Sequence, residues 1–272
     1  MSNENGLWKF TESFRPTLVN KVTNKDGLLK ERVAIITGAT NGMGRGCALM
    51  YASEGAKVVV VDILDGSDVV KEITEAGGEA IFIEADVRKE DQVVAMVEGT
   101  VKAYGQIDIL MNNAGLSALP HQFEDFDSEM FDNMIDTNCK AIYFTTKYSL
   151  PYLEKSTNAV VINTLSMAGV QHFTHLSTYG VTKAAAVHLT KILSRQYSWK
   201  NIRVNSVCPG VIDTPMNAGF GHENLDWEKA IPLWGRRGTT EDIANLALFL
   251  ASDLSCYITG QIIICDGGYA FK

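Results

Sequence analysis

The sequence predicts an α/β domain in which a doubly wound parallel sheet of about seven strands carries helices on both faces. Three observations carry that prediction. Short β-branched runs recur along the chain and are apolar at successive positions, the pattern of strands covered on both faces rather than one. Longer amphipathic stretches separate them, so that each parallel strand has a crossover helix to bring the chain back. A glycine cluster, TGATNGMG at 37–44, stands between the first run and the first helical stretch.

The runs place strands at 33–37 (VAIIT), 57–62 (KVVVVD), 80–85 (AIFIEA), 107–111 (IDILM), 159–163 (AVVIN), 202–207 (IRVNSV) and 261–265 (QIIIC). Helices are expected at about 43–54, 68–76, 90–103, 127–152, 177–199 and 241–252, with Asp127 and Ser177 as N-caps. Two regions break the alternation. Residues 1–32 form an N-terminal arm carrying Trp8, Phe10, Phe14 and Leu18, and residues 209–238 interrupt the last two strands with a Gly, Pro and Trp-containing insertion. An insertion of that length in a compact domain reads as a lid. An arm so aromatic is expected to pack on the sheet domain or on a neighbouring subunit. Residues 33–272 are read as one dinucleotide-binding and catalytic domain.

Composition narrows the function. The 272 residues are 46% hydrophobic and 21% charged with a formal net charge of −8, which disfavours nucleic acid and anionic membranes as partners and favours a small-molecule substrate. No run reaches the roughly 20 apolar residues that span a bilayer, and the first ten residues lack the order of a signal peptide, so a cytoplasmic protein is expected. Five widely spaced cysteines form no CxxC or CxxH pair, which predicts reduced thiols and no metal site.

The glycines at 38, 42 and 44 allow close backbone approach at a helix N-terminus whose free N–H groups suit an anion, and no Gly-Lys-Ser/Thr follows to make it a nucleoside triphosphate loop. At the end of the next strand, 18 residues beyond Gly44, stands Asp62. A carboxylate there accepts both adenosine ribose hydroxyls and repels a 2′-phosphate, which predicts NAD rather than NADP, with Arg45 the nearby cation that would oppose the preference.

Hydride transfer from a carbinol to nicotinamide requires a base at the hydroxyl. Tyr179 and Lys183, in YGVTK, have the i, i+4 spacing that puts both on one helical face, where an ammonium favours the phenolate. Tyr143 and Lys147, in YFTTK, share the spacing. Only the first pair has a serine at a strand end upstream, Ser166, thirteen residues before the tyrosine.

With these motifs in hand, the chain resembles the short-chain dehydrogenase/reductase family, whose TGxxxGxG fingerprint TGATNGMG matches, and the resemblance runs in order over residues 33–272. It implies a single Rossmann-type domain. It also implies that Gly38, Thr40, Asn41, Gly42, Met43 and Gly44 embrace the cofactor diphosphate, with Asp62 and Ile63 at the ribose. In ADV, Asp86 and Val87 would contact adenine, and in NNAG, Asn113, Ala114 and Gly115 would line the cofactor site. Ser166 would hydrogen-bond the substrate oxygen, Tyr179 would act as general acid/base, and Lys183 would lower the tyrosine pKa and bind the nicotinamide ribose. Asn138, in DTNCKA, would hold a water in a proton relay. Pro209, Gly210, Val211 and Thr214, in CPGVIDTPM, would meet the nicotinamide end. Family members are commonly tetramers joined through the two long helices, so a homotetramer or homodimer is expected.

The substrate walls are expected from Leu116, Leu119, Met167, Phe173, Leu176, Met216, Phe220, Trp227 and Trp234, with His172 and His175 near a polar end. So apolar a set suits a bulky secondary alcohol or ketone. In this the chain resembles bacterial hydroxysteroid dehydrogenases, and its extended N-terminus resembles the 20β type. A 3-oxoacyl-acyl-carrier-protein reductase and a sugar or polyol dehydrogenase are the alternatives of the same class. A catalytically inactive nicotinamide sensor is the alternative of another, opposed by the intact Ser166, Tyr179 and Lys183.

Overall fold

The computed structural model describes residues 27–117, 123–173, 176–217 and 232–271. Seven strands form one parallel sheet: β1 (Val33–Thr37), β2 (Lys57–Asp62), β3 (Glu79–Glu84), β4 (Ile109–Asn112), β5 (Ala159–Thr164), β6 (Ile202–Pro209) and β7 (Ile262–Cys265), in the order β3-β2-β1-β4-β5-β6-β7. The connecting helices are α1 (Gly42–Ser53), α2 (Ser67–Glu75), α3 (Glu90–Tyr104), α4 (Ser128–Ile135), α5 (Ala141–Leu153), α6 (Ser177–Tyr197) and α7 (Thr240–Ala251).

Successive strand residues point to opposite faces, and both faces are packed. Ala34, Ile36, Val58 and Val60 meet Tyr51 of α1, Ile73 of α2 and Ile243 of α7, while Val33, Ile35, Val59 and Val61 meet Met96 of α3, Ile142 of α5 and Leu193 of α6. Two cores, one on each side, explain why the runs are apolar without alternation. Strand order reverses between β1 and β4, and the C-terminal ends of these two strands open the crevice in which doubly wound sheets bind ligands.

Three expectations are corrected. The helix expected over 127–152 is divided by a π-turn at Asp136–Lys140, so its register shifts between α4 and α5. Asp127 is the N-cap of α4, its carboxylate accepting from Met130 N–H at 2.9 Å. Ser177, however, is the first residue of α6 behind an N-cap at Leu176 that gives no side-chain cap, because the serine hydroxyl is buried inside the first turn. The insertion begins within β6, whose ladder runs to Pro209, and its two roots are joined by a bridge between Ile212 and Gly238. Residues 1–26 and 218–231, and with them most of the expected arm and the centre of the expected lid, lie outside the described residues. No helix among the described residues is long and apolar enough to cross a membrane.

The end of α7 is held by two arginines. Arg203 of β6, 7% exposed, donates to Leu250 O at 2.8 Å, Ser255 Oγ at 2.9 Å and Ser252 O at 3.3 Å. Arg32 donates to Ala251 O at 2.8 Å and pairs with Asp253. Cations are favoured at the negative end of a helix dipole, and here they also satisfy carbonyls that lack a helical partner. Arg203→Met, which keeps the bulk and removes the three charge-assisted hydrogen bonds, is expected to lower the free energy of unfolding by about 2–4 kcal/mol in urea titrations. A loss under about 0.5 kcal/mol would show that solvent replaces the guanidinium.

Candidate active site

The crevice is lined from five segments by residues that the sequence had marked. The glycine turn contributes Gly38, Asn41, Gly42 and Met43, and the end of β2 contributes Asp62 and Ile63. The loop after β3 brings Asp86 and Val87, the loop after β4 brings Asn113, Ala114 and Gly115, and Thr214 arrives from the insertion. Val61, Ala85, Arg88, Leu116, Thr137 and Met216 complete the lining, and none of these six was among the expected cofactor residues.

The turn is compact enough to need its glycines at two positions. Gly38 has φ +63°, and a Cβ there would stand 2.8 Å from Ala114 Cα; a Cβ on Gly44 would stand 2.1 Å from Gly38 O. Gly44 therefore packs α1 on the turn rather than lining the crevice. Asn41 precedes α1 without a side-chain cap, so the N–H groups of the first turn remain open to an anion. Asn113 donates to Thr37 O and Gly38 O at 3.1 and 3.0 Å, while its Oδ1 is buried with no partner. An open helix N-terminus, a backbone cradle and an orphaned acceptor fit a dinucleotide.

Thr40 serves the crevice through Asp62. Its N–H and Oγ1 donate to Asp62 Oδ2 at 3.1 and 2.7 Å, and Ile63 and Leu64 N–H donate to Oδ1 at 2.8 and 3.2 Å. Four donors hold this carboxylate in place. Arg45, the cation expected to oppose it, instead pairs with Glu72 and lines a separate depression between α1 and α7. Pro209, Gly210 and Val211 do not line the crevice either. Pro209 is in register with Cys265, a Cβ on Gly210 would stand 2.7 Å from Asp266 Cβ, and Val211 O accepts from Gly238 N–H at 3.0 Å.

Beyond Gly115 the catalytic candidates converge. Ser166 ends the β5 loop, where its Oγ accepts from Ala168 N–H at 3.1 Å, and it shares a hydrogen bond with the Tyr179 hydroxyl. Lys183, one turn along α6, is 4% exposed; its Nζ donates to Thr164 O at 3.0 Å and lies 5.8 Å from the Tyr179 ring centroid. Buried polar bonds seat this helix on the sheet: Asn112 donates to Asn163 Oδ1 and Asn163 to Thr190 Oγ1, both at 2.9 Å.

Burial dominates the electrostatics of this pair. In the protein's own field, burial pushes the Tyr179 hydroxyl up to about 12, against the opposing hydrogen bond from Ser166. Burial also pushes Lys183 down to about 8. Tyr179 therefore holds its proton at neutral pH.

Asn138 lies on the π-turn and is 1% exposed. Its Nδ2 donates to Leu116 O at 2.8 Å and Thr182 Oγ1 at 2.9 Å, and its Oδ1 accepts from Leu116 N–H at 2.8 Å. Both amide N–H groups are committed, so the side chain clamps the β4 loop to α6. Thr182 was missed by the sequence reading although it sits inside YGVTK, because only the fold brings Asn138 to it.

Tyr143 and Lys147 reproduce the spacing and the 5.8 Å ring-to-ammonium distance, but at the surface. Tyr143 is 48% exposed, and Lys147 donates to Glu90 at 2.9 Å and Tyr148 at 3.0 Å. Lys147→Met is expected to leave turnover unchanged within about twofold, as surface pairs contribute little. A large loss would mean that this pair contributes to the active enzyme.

Of the expected substrate walls, Leu116 and Met216 line the crevice, and Met167 is buried in the turn after Ser166. Phe173 packs on Tyr269 of the C-terminal segment, ring centroids 5.9 Å apart, a neighbour the sequence did not suggest. Leu176 is half-buried, His172 is exposed, and Trp234 is 75% exposed, its N–H donating to Gly267 O at 3.0 Å. Leu119, Phe220, Trp227 and His175 lie outside the described residues.

Comparison with known proteins follows the same motifs. A family model described as enoyl-(acyl carrier protein) reductase matches residues 38–270. The chain belongs to the short-chain dehydrogenase/reductase family. Among curated relatives, the 3-oxoacyl-[acyl-carrier-protein] reductase FabG of Thermotoga maritima is 37% identical over 245 residues, 88% of this chain and 98% of that protein. The cyclohexanol dehydrogenase of an Acinetobacter species is 35% identical over 255 residues, 93% of this chain and 98% of that one. The crystal structure of a short-chain type dehydrogenase/reductase from Mycobacterium marinum superposes with a TM-score of 0.85 at 36% identity, covering 90% of this chain and 97% of that chain. As a member of this family the protein is an oxidoreductase of the alcohol/ketone type that uses a nicotinamide cofactor.

Proposed function

We propose that this short-chain dehydrogenase/reductase interconverts a secondary alcohol and a ketone on a bulky hydrophobic, ring-bearing molecule, with NAD(H) as cofactor. The observation that carries the cofactor choice is the Asp62 carboxylate, fixed by four donors at the ribose end, with Arg45 paired to Glu72 and Arg88 to Asp86. A 2′-phosphate would meet that charge directly.

When bound, the nicotinamide ring supplies or accepts the hydride. Ser166 orients the substrate oxygen, and Tyr179 passes a proton to it in reduction or takes one in oxidation. Lys183 holds the ribose from beside Gly115, where a Cβ would stand 3.4 Å from Nζ. Asn138 keeps the β4 loop and α6 in fixed relation, and a proton leaving Tyr179 is relayed past its main chain.

For the substrate we favour a hydroxysteroid, with a side-chain 20-ketone first, since apolar Leu116 and Met216 at the crevice suit a ring system better than a sugar. The second reading, a 3-oxoacyl-acyl-carrier-protein reductase, is favoured by the likeness to the Thermotoga protein. Assembly as a homotetramer is part of the proposal. Val181 and Ile192, three turns apart on α6, are 53% and 40% exposed, and Tyr143 of α5 is 48% exposed, apolar side chains suited to a second copy. Oxidation of NADH and of NADPH against cortisol, bile-acid ketones, cyclohexanone and acetoacetyl thioesters tests the cofactor and substrate readings. Turnover with NADH and a ring ketone is expected; turnover confined to NADPH and a thioester would overturn both the cofactor and the substrate reading.

A further inference from the structure

The adenine end of the crevice is built differently from what the Asp-Val motif implies. Asp86 was expected to contact the base. Its carboxylate is already occupied: Oδ1 accepts from Arg88 N–H at 3.0 Å and Arg88 Nε at 2.9 Å, and Oδ2 accepts from Nε at 3.1 Å and Nη2 at 2.7 Å. Three N–H groups of one residue, the main-chain N–H, Nε and Nη2, hold this carboxylate, with Nε shared between its two oxygens. Its charge is balanced by the guanidinium at hydrogen-bond distance, so it draws the exocyclic amine of adenine less than a free carboxylate would.

Arg88 itself faces the crevice with Asp62, Ile63, Val87 and Thr137. Its guanidinium is tied at every nitrogen: Nε and Nη2 to Asp86, and Nη1 to Asn133 Oδ1 of α4 at 3.0 Å. Those bonds consume much of its hydrogen-bonding edge and fix its plane, leaving the flat face as the unused surface. A guanidinium face is weakly hydrated and stacks on aromatic rings and nucleobases. The carboxylate also balances its charge, which makes it a poor receiver for a 2′-phosphate and a good floor for a neutral base.

We propose that the adenine of the cofactor stacks on the guanidinium of Arg88, and that Asp86 and Asn133 are positioning residues that hold this plane in the crevice. The inference rests on the NAD(H) reading above. It also gives α4 a use, since Asn133 ties the adenine floor to the helix that leads into the π-turn and Asn138.

The test is equilibrium binding, independent of turnover, on the full chain. NADH, AMP and reduced nicotinamide mononucleotide, which lacks adenine, are titrated against the wild type, Arg88→Met, Arg88→Lys and Asp86→Asn, after each variant's thermal unfolding has been recorded. Arg88→Met is expected to weaken NADH and AMP by about tenfold each and to leave the mononucleotide unchanged. Arg88→Lys, which keeps the charge but not the plane and serves if the methionine variant does not fold, should lose nearly as much. Asp86→Asn should lose less than either. If Asp86 receives the base directly, removing Arg88 frees its carboxylate, and AMP then binds Arg88→Met as tightly as the wild type or more so, while Asp86→Asn loses most. That pattern overturns the proposal. A wild type that binds neither NADH nor AMP would instead fail at the cofactor reading and take the inference with it, an outcome distinct from a flat response to the Arg88 variants.

Discussion

Replacing Tyr179 by phenylalanine is expected to reduce turnover by about 10³-fold while NADH binding stays nearly intact. The ring remains between Ser166 and Lys183, so the pocket keeps its shape, and only the transferable proton is lost. The pH dependence should carry the same signature. Burial holds the Tyr179 hydroxyl up to about 12, so it is protonated across the neutral range and ketone reduction should be level there. Alcohol oxidation needs the phenolate and should rise with pH by up to about tenfold per unit. The rise should slacken as Lys183, pushed down to about 8, gives up the charge that favours the phenolate. Steady-state rates in both directions, paired with cofactor titrations, check the prediction. If Tyr179→Phe lost binding but turned over normally per bound cofactor, another residue would be the acid.

The second large effect concerns Asp62. Asp62→Ala is expected to shift the preference between NADPH and NADH by about 10²-fold or more towards NADPH, from two sources of similar size. NADH loses charge-assisted hydrogen bonds to its ribose, at about 1.5–3 kcal/mol. NADPH loses the repulsion between its 2′-phosphate and a carboxylate fixed a few ångströms away, about 4 kcal/mol per charge pair before screening. The ratio of kcat/KM for the two cofactors measures the sum. An unchanged ratio would mean that the discriminating charge lies elsewhere. Thr40→Val should move the ratio the same way by less, because it removes one of the four donors that hold the carboxylate and leaves the charge.

The alternation of strands and helices was legible because it depends on short-range pattern: a strand such as β1 buries every residue, so VAIIT declares itself without reference to its neighbours. The glycine turn was legible for a similar reason, since its geometry is set by residues adjacent in the chain. The helix over 127–152 was misread because a π-turn changes hydrogen-bond register without changing the apolar pattern. Thr182 and Arg88 were missed because their roles are contacts, to Asn138 and to Asp86 and Asn133, that no local spacing encodes.

The two Tyr–Lys pairs divide these cases most clearly. The sequence by itself determined the parallel α/β sheet, the glycine turn, the acid at the end of β2 and the presence of two pairs with one spacing, because backbone periodicity and helical geometry are local. Both pairs hold their ammonium 5.8 Å from the ring, so spacing could not separate their chemistry. Only the tertiary structure decided that Lys183 is buried against Thr164 while Lys147 meets Glu90 at the surface. Desolvation and long-range hydrogen bonds set the charge of a group, and both exist only once distant parts of the chain have been brought together.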